Sequence, residues 1–424
     1  MQEEYLHYLW RMKRLDFRQL TLVNGNKSAI QVKETGWYNT DAGPDFFNGS
    51  VLIDGLQWSG NIEMHIRSSD WYLHNHHLDK AYDNVVLHVV YEHDKEVFVN
   101  GVALPTIALK NQLDQEHLDN YQRIISNNHK IACHNQILKF NFELNQQLDI
   151  SFLQRIERKG LLLFDSAEEV NKDALSLAYL AIFKAVGGRV NALPMEELAK
   201  KIPYSILLKE GWDAQRIQAV LFGTAGFLNE ECEDEYFLHL QQQWQVLKRK
   251  YGLSEMNKNT WKFNGIRSSS FPTYILAQLS AFLLQFDFSN FEGMEVNEIR
   301  HKVLSIDASH IHSYWTNHFR FGVNSKRVNR GFTTLFKMNL LINGIVPYLV
   351  VLKHLKNDFS FSDKAMELME NLPAEQNNII KEWNKVGIYA KNAFESQALL
   401  ELYNEFCIFK KCLSCKIGSS ILEK

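Results

Sequence analysis

The chain has 424 residues and a formal net charge of −3, with 46% hydrophobic and 22% charged residues. At roughly 100–200 residues per domain this length calls for two or three domains, and the composition is that of a globular protein with a large core, which excludes long disordered spans. Near-neutral charge excludes bulk polyanion binding, so any nucleic-acid contact has to rest on local basic patches.

Glu3 to Phe17 reads as a helix, with Tyr5, Leu6, Leu9, Trp10 and Met12 near helical spacing. Its acidic start excludes a secretory signal. Leu20–Val32 reads as two short strands around Asn24-Gly25-Asn26, and Asp54-Gly55 marks a second hairpin between Val51–Ile53 and Leu56–Trp58. Asn61–Ile66 continues as a strand whose period of two puts Glu63 and His65 on one face. A short helix is expected at Leu78–Tyr82, a strand at Val85–Tyr91, and two more at Val97–Val99 and Thr106–Leu109, separated by Asn100-Gly101.

From about Leu138 the period becomes helical, over Leu148–Leu163, Ala174–Val186, Ala214–Leu228, Tyr236–Tyr251, Tyr274–Phe286, Phe332–Leu355 and Asn392–Phe409. Gly187-Gly188 and Gly252 sit where helices end, and Pro194 where one begins. The apolar run Met338–Leu352 is broken by Asn339, Asn343, Gly344 and Pro347 and reads as a buried helix too short to span a bilayer. The expectation is a cytoplasmic α+β protein without membrane association. It has a mixed α/β domain at residues 1–135, an all-helical domain at 136–400, and a cysteine-rich tail at 401–424 that packs back on the first domain.

Chemistry concentrates between Gly36 and Asp94. Gly43-Pro44-Asp45 places a carboxylate after a rigid turn, and Glu63-x-His65 places a carboxylate and an imidazole on one strand face. Two carboxylates from neighbouring strands can hold one Mg²⁺ or Mn²⁺, and a polar residue two positions on faces the same site, where it can hold or deprotonate a water. The plainer alternatives are a turn acid and a solvated strand face. His74, His76, His77 and Asp79 form a second group; His-x-His is a ligand spacing for zinc, iron or nickel, and solvated loop histidines are the alternative. His88, inside an apolar strand, reads as a buried, hydrogen-bonded histidine able to line the same pocket as Glu63.

Pro44-Asp45, a hairpin, then Glu63-x-His65 resembles the PD-(D/E)XK nuclease superfamily. The resemblance covers about the first quarter of the chain. It implies a restriction-endonuclease-like sheet, a cation on Asp45 and Glu63, and a helix glutamate completing the site, for which Glu4 is the positional match. The family's lysine is replaced by His65, which would orient the attacking water in its place. The stretches AGPDF, GNIEMH, SSDW, YDNVVLHVV and LFGTAGFL, with the cysteine-rich end, also resemble an uncharacterised bacterial domain family of unknown function.

Five cysteines in a chain without secretory context favour metal binding or burial over disulfides. Cys407, Cys412 and Cys415 have a spacing known from ferredoxin ligands and equally usable by zinc, with Cys133 as the fourth candidate; buried free thiols are the alternative. Some nucleases of the superfamily carry an iron–sulfur staple with one cysteine apart from a C-terminal cluster, commonly before the nuclease core, whereas Cys133 follows it. Arg320, Lys326, Arg327 and Arg330 form an acid-free basic stretch suited to phosphate, or else a solvated loop. No P-loop, dinucleotide fingerprint, zincin motif or serine-hydrolase elbow occurs. Three readings compete. The first is a metal-dependent nuclease or related phosphodiesterase. The second is a non-catalytic nucleic-acid or protein-binding module on a degenerate nuclease scaffold, and the third a zinc hydrolase built on the histidines.

Overall fold

The computed structural model describes residues 2–23, 30–113, 115–166, 173–211, 213–326 and 331–422. It is an α+β protein, with an N-terminal mixed sheet of six strands followed by a helical region. The chain divides into two compact units, one of Met1–Gln147 with Tyr403–Lys424 and one of Leu148–Leu402.

The first unit begins with α1 (Glu3–Arg11). Glu3 and Glu4 complement the positive end of its dipole, and Tyr5, Leu6, Tyr8, Leu9 and Trp10 are buried. The helix stops short of the expected Phe17. Met12 N–H and Lys13 N–H turn back to the Tyr8 and Trp10 carbonyls, and Lys13 takes φ 53°, which closes the last turn.

The sheet is made of β1 (Ile30–Glu34), β2 (Trp37–Tyr38), β3 (Phe46–Ile53), β4 (Leu56–Arg67), β5 (Val85–Glu92) and an edge strand, Thr106–Ala108, in the order β1, β3, β4, β5, Thr106–Ala108, with β2 also paired to β3. The β1–β3, β2–β3 and β3–β4 pairs are antiparallel. The β4–β5 pair and the pair of β5 with Thr106–Ala108 are parallel. The β3–β4 hairpin closes on Asp54 (φ 48°) and Gly55 (φ 80°), both left-handed as a two-residue primed turn requires. Asn100-Gly101 closes a smaller ribbon in the same way. The turn expected at Asn24-Gly25-Asn26 lies outside the described residues.

Parallel neighbours need a crossover, and the one between β4 and β5 carries the histidines. It consists of α2 (Asp70–Leu73) and two 3₁₀ turns, His76–Leu78 and Lys80–Tyr82. The single helix expected at Leu78–Tyr82 is split because Asp79 is extended and caps the second turn through Ala81 N–H at 2.9 Å. Buried Ser68 fixes the start of the crossover. Its Oγ accepts N–H from Asp94 (3.0 Å) and Lys95 (2.9 Å), while the Asp94 carboxylate takes the Ser69 N–H (2.9 Å) and hydroxyl (2.8 Å). Trp71 anchors it in an apolar cluster with Tyr82, Val85, Val97 and Leu104.

The described residues of the second unit form the expected helical region, with one short ribbon, His318–Arg320 with Val323–Asn324, set within it. The helical span Ala174–Lys201 is two helices joined across a break at Gly188 (φ 59°) and Asn191 (φ −114°), which leaves Pro194 in the first turn of the second, near the helix start expected for it. The run Thr334–Lys356 is helical over 23 residues, long and apolar enough to cross a membrane, contrary to the shorter span expected. A π turn at Leu341–Ile345 absorbs Pro347, which therefore does not break it. The most apolar window is 78% buried inside the fold, as in a core helix.

Candidate functional site

Asp45 is positioned by the loop before β3. Asn39 holds that loop from inside: its amide donates to the carbonyls of Asp41 (3.1 Å) and Pro44 (3.0 Å), its side-chain oxygen accepts Asp41 N–H (2.9 Å), and its own N–H donates to Asp45 O (2.8 Å). Pairing of Phe46 with Ile62 then sets Asp45 opposite Glu63. Two reciprocal bonds lock the pair: Asp45 N–H donates to Glu63 Oε2 (3.1 Å), and Met64 N–H donates to Asp45 Oδ2 (2.9 Å).

One face of α1 completes the acidic half. His7 Nε2 is 3.3 Å from Asp45 Oδ2. Glu3, one turn before His7, lies in the fields of Asp45 and Glu63, and burial together with those charges pushes its carboxyl up to about 7. Glu4, expected to be the helix ligand, is exposed; one residue is about 100° of helix, so Glu3 and not Glu4 faces the strands. Burial pulls His7 down, but the Asp45 hydrogen bond and charge outweigh it and hold His7 above its usual value.

The other half is imidazole. His65 points to the same face as Glu63, with Nε2 3.6 Å from Glu63 Oε1. His76 Nε2 is 3.2 Å from the same oxygen, and His74 Nδ1 is 3.2 Å from His65 Nε2. Among the described residues, His65, His74 and His76 are the group of three or more potential ligands whose donor atoms all lie within 4.8 Å of one another. His88, fully buried and paired in register with Glu63, meets His65 Nδ1 through its Nε2 at 2.8 Å. The Tyr82 ring stacks on His76 at 3.8 Å. His77 instead packs against Tyr72, and Asp79 is the turn cap described above.

The electrostatics of the strand residues are dominated by burial. Glu63 is pushed up to about 9, first by burial and then by Asp45. His65 falls to about 2 and His88 to about 3, each chiefly by burial and then by neighbouring imidazoles. At neutral pH Glu63 is therefore held protonated beside neutral His65 and His88.

The cysteines also gather within the first unit. Burial pushes Cys133 up to about 12, with added contributions from Cys415 and Cys412, and Cys407 is raised by burial and then by the other three. Cys412 rises to about 12 by burial and then by Cys415. Cys415 caps the final helix, Lys416–Leu422, whose Gly418 comes so close to Cys412 that a Cβ would sit 2.2 Å from its carbonyl oxygen. Cys232 is separate, its thiol donating to Asp234 at 3.3 Å.

The basic stretch lies in the second unit. Arg320 is half-buried, its guanidinium 4.1 Å from the Phe263 ring and 4.4 Å from Phe271 in a cation–π arrangement. Lys326 is exposed, and Arg327 and Arg330 lie outside the described residues.

The family profile described as protein of unknown function (DUF2851) matches residues 3–378. The chain belongs to the DUF2851 family. No curated protein and no solved structure matches this DUF2851 chain. Its site contains residues that sequence reasoning did not single out, namely Glu3, His7 and Asn39. The available signals were a Glu and a His four apart on a helix ahead of the sheet, and an Asn two residues before an acidic turn.

Proposed function

We propose that the first unit of this DUF2851 protein carries a divalent-cation-dependent hydrolase site that cleaves phosphodiesters of nucleic acid. The observation that carries the reading is the Asp45–Glu63 pair, two carboxylates fixed across adjacent strands by reciprocal backbone bonds on a buried face. A stabilising role does not account for it, since burying Glu63 beside a second, half-buried carboxylate opposes folding. The order of helix acid, strand Asp, hairpin and Glu-x-His resembles the PD-(D/E)XK nucleases and supports the same reading.

The donor set fits Mg²⁺ or Mn²⁺: hard oxygen ligands with one carboxylate oxygen each restrained by an N–H. Such a cation would polarise the phosphate and acidify a water. The chain's own groups do the rest. Glu3, held near 7, is tuned to accept the proton of the attacking water as its oxygen bonds to phosphorus. His7, held above its usual range, can return a proton to the sugar oxygen as the phosphorus–oxygen bond breaks. His65, held near 2, is too weak a base to take a proton and can only orient water or bind metal.

The second reading, a non-catalytic binding module on the same scaffold, is favoured by the absence of the superfamily lysine at His65. Purified protein incubated with end-labelled single- and double-stranded DNA and RNA, with Mg²⁺ or Mn²⁺, separates the two. Divalent-dependent cleavage lost in Asp45→Asn is the expected result. Retention of substrate without cleavage under every condition would establish the binding module instead.

A further inference from the structure

The imidazole half of the site has a geometry that neither oxygen-ligated Mg²⁺ nor a hydrogen-bonded core requires. We propose that His65, His74 and His76, with Glu63 as fourth ligand, form a tetrahedral site for a transition-metal ion of the Zn²⁺ class. Only the role given to the metal rests on the hydrolase reading; the binding does not.

The distances are the first argument. Zinc–nitrogen bonds of about 2.0–2.1 Å at the tetrahedral angle set ligand-to-ligand edges of about 3.3 Å. The edges here are 3.2 Å (His65 Nε2 to His74 Nδ1), 3.2 Å (His76 Nε2 to Glu63 Oε1) and 3.6 Å (His65 Nε2 to Glu63 Oε1). The three imidazole donors all fall within 4.8 Å of one another. Three imidazole donors thus gather round one point, and Glu63 Oε1 lies beside two of them, His65 and His76, from where it closes in as the fourth ligand.

The support around the ligands is the second argument. A ligating histidine donates its other ring N–H to a fixed acceptor. Buried His88 offers Nε2 to His65 Nδ1 at 2.8 Å, which fixes the tautomer that turns the His65 Nε2 lone pair to the site. In that arrangement the proton of His88 sits on Nδ1, a buried atom without a hydrogen-bond partner. Leaving that N–H unsatisfied is unfavourable and is explained if its cost is offset by presenting His65 to a metal. His76 is held by the Tyr82 stack, and the His74 backbone is held by its N–H donating to Asp70 O at 2.8 Å.

The class of metal follows from the donors. Imidazole with one carboxylate suits Zn²⁺ and its neighbours, not Mg²⁺ or Ca²⁺. Glu63 joins the two halves of the site, its Oε1 toward the imidazoles and its Oε2 held by Asp45 N–H. A cation on the imidazoles would bring positive charge to the place where the resembling nucleases have lysine, which accounts for His65 at that position.

The test uses the full chain, stripped with chelator and titrated with Co²⁺ as a spectroscopic stand-in for Zn²⁺. The expected result is one equivalent giving the intense visible bands of tetrahedral cobalt, displaced by Zn²⁺. His74→Ala, an exposed position that tolerates truncation, abolishes the bands, Asp45→Asn keeps them, and His88→Ala weakens binding about 10–100-fold. Absence of tetrahedral bands in the wild type, or bands unchanged in a folded His74→Ala, would overturn the site. Cobalt binding without nuclease activity would leave this site standing and remove the hydrolase reading. Cleavage by a chain that binds no cobalt would do the reverse.

Discussion

Glu63→Gln in metal-free protein should raise stability, and should do so more as the pH rises. Glu63 is 4% exposed, and burial reinforced by Asp45 lifts its carboxyl from 4.5 to about 9. A group raised on folding contributes its full stability below the unfolded value, and that contribution is lost as the pH climbs through the folded one. At pH 7 the folded chain keeps a proton that the unfolded chain has released. The interval from 4.5 to 7 corresponds to about 3 kcal/mol of lost stability. Glutamine has the same shape and no proton to lose; its oxygen can still accept Asp45 N–H, and its amide can donate to the neutral His76 ring. The variant is therefore expected to be more stable by about 2–3 kcal/mol at pH 7, with the difference vanishing near pH 4.5 and growing toward pH 9. At about 2–4 °C per kcal/mol for a domain of this size, the first unit's transition should rise by about 5–10 °C. Scanning calorimetry in chelator at pH 5, 7 and 8.5 measures it. A variant less stable than wild type at pH 8.5 would refute the reasoning, since Glu63 would then be an ionised partner of charged imidazoles.

Three further outcomes are expected. Asp45→Asn should lose at least about 100-fold of any divalent-dependent cleavage with its melting temperature unchanged or raised, because the amide removes a hard ligand and also the charge opposing Glu63; a fully active variant would exclude Asp45 as a ligand. Anaerobically purified protein should carry zinc or an iron–sulfur cluster on Cys133, Cys407, Cys412 and Cys415, whose thiols lie in one another's fields. Elemental analysis finding neither iron nor zinc would leave them as buried thiols. In the second unit, burial and then Arg155 lower Lys159 to about 7, although its ammonium donates to Asn343 (2.6 Å) and Gln397 (3.2 Å). Between about 7 and 10.5 the unfolded chain holds more protons, so stability should rise with pH in that window and the rise should flatten in Lys159→Met; parallel profiles in urea titrations at pH 7 and 9 would contradict this.

The parts of the fold readable from sequence were those that local stereochemistry decides. Asp54-Gly55 and Asn100-Gly101 mark hairpins because both residues of such a turn need positive φ, and Gly252 ends its helix in the left-handed region for the same reason. Alternation along Asn61–Ile66 put Glu63 and His65 on one face because side chains in a strand repeat every two residues. The less readable parts depended on helix phase or on distant contacts. A one-residue error on α1 exchanges Glu3 for Glu4. The π turn at Leu341–Ile345 carries a helix through Asn343, Gly344 and Pro347, which look like breakers one by one. His74 and His76 reach His65 only because Ser68 and Asp94 fold the crossover back over β4, a contact between residues 26 apart that no spacing rule reports. The stacking of Arg320 against Phe263 and Phe271, far away in sequence, is a distant contact its charged stretch gives no sign of.

The most direct measurement is anomalous diffraction from crystals of the full chain soaked in Mn²⁺. A manganese peak within about 2.0–2.6 Å of carboxylate oxygens of both Asp45 and Glu63, absent in Asp45→Asn, is the expected result. Well-ordered Asp45 and Glu63 side chains with no peak between them at saturating Mn²⁺ would contradict the proposed cation site and the hydrolysis built on it.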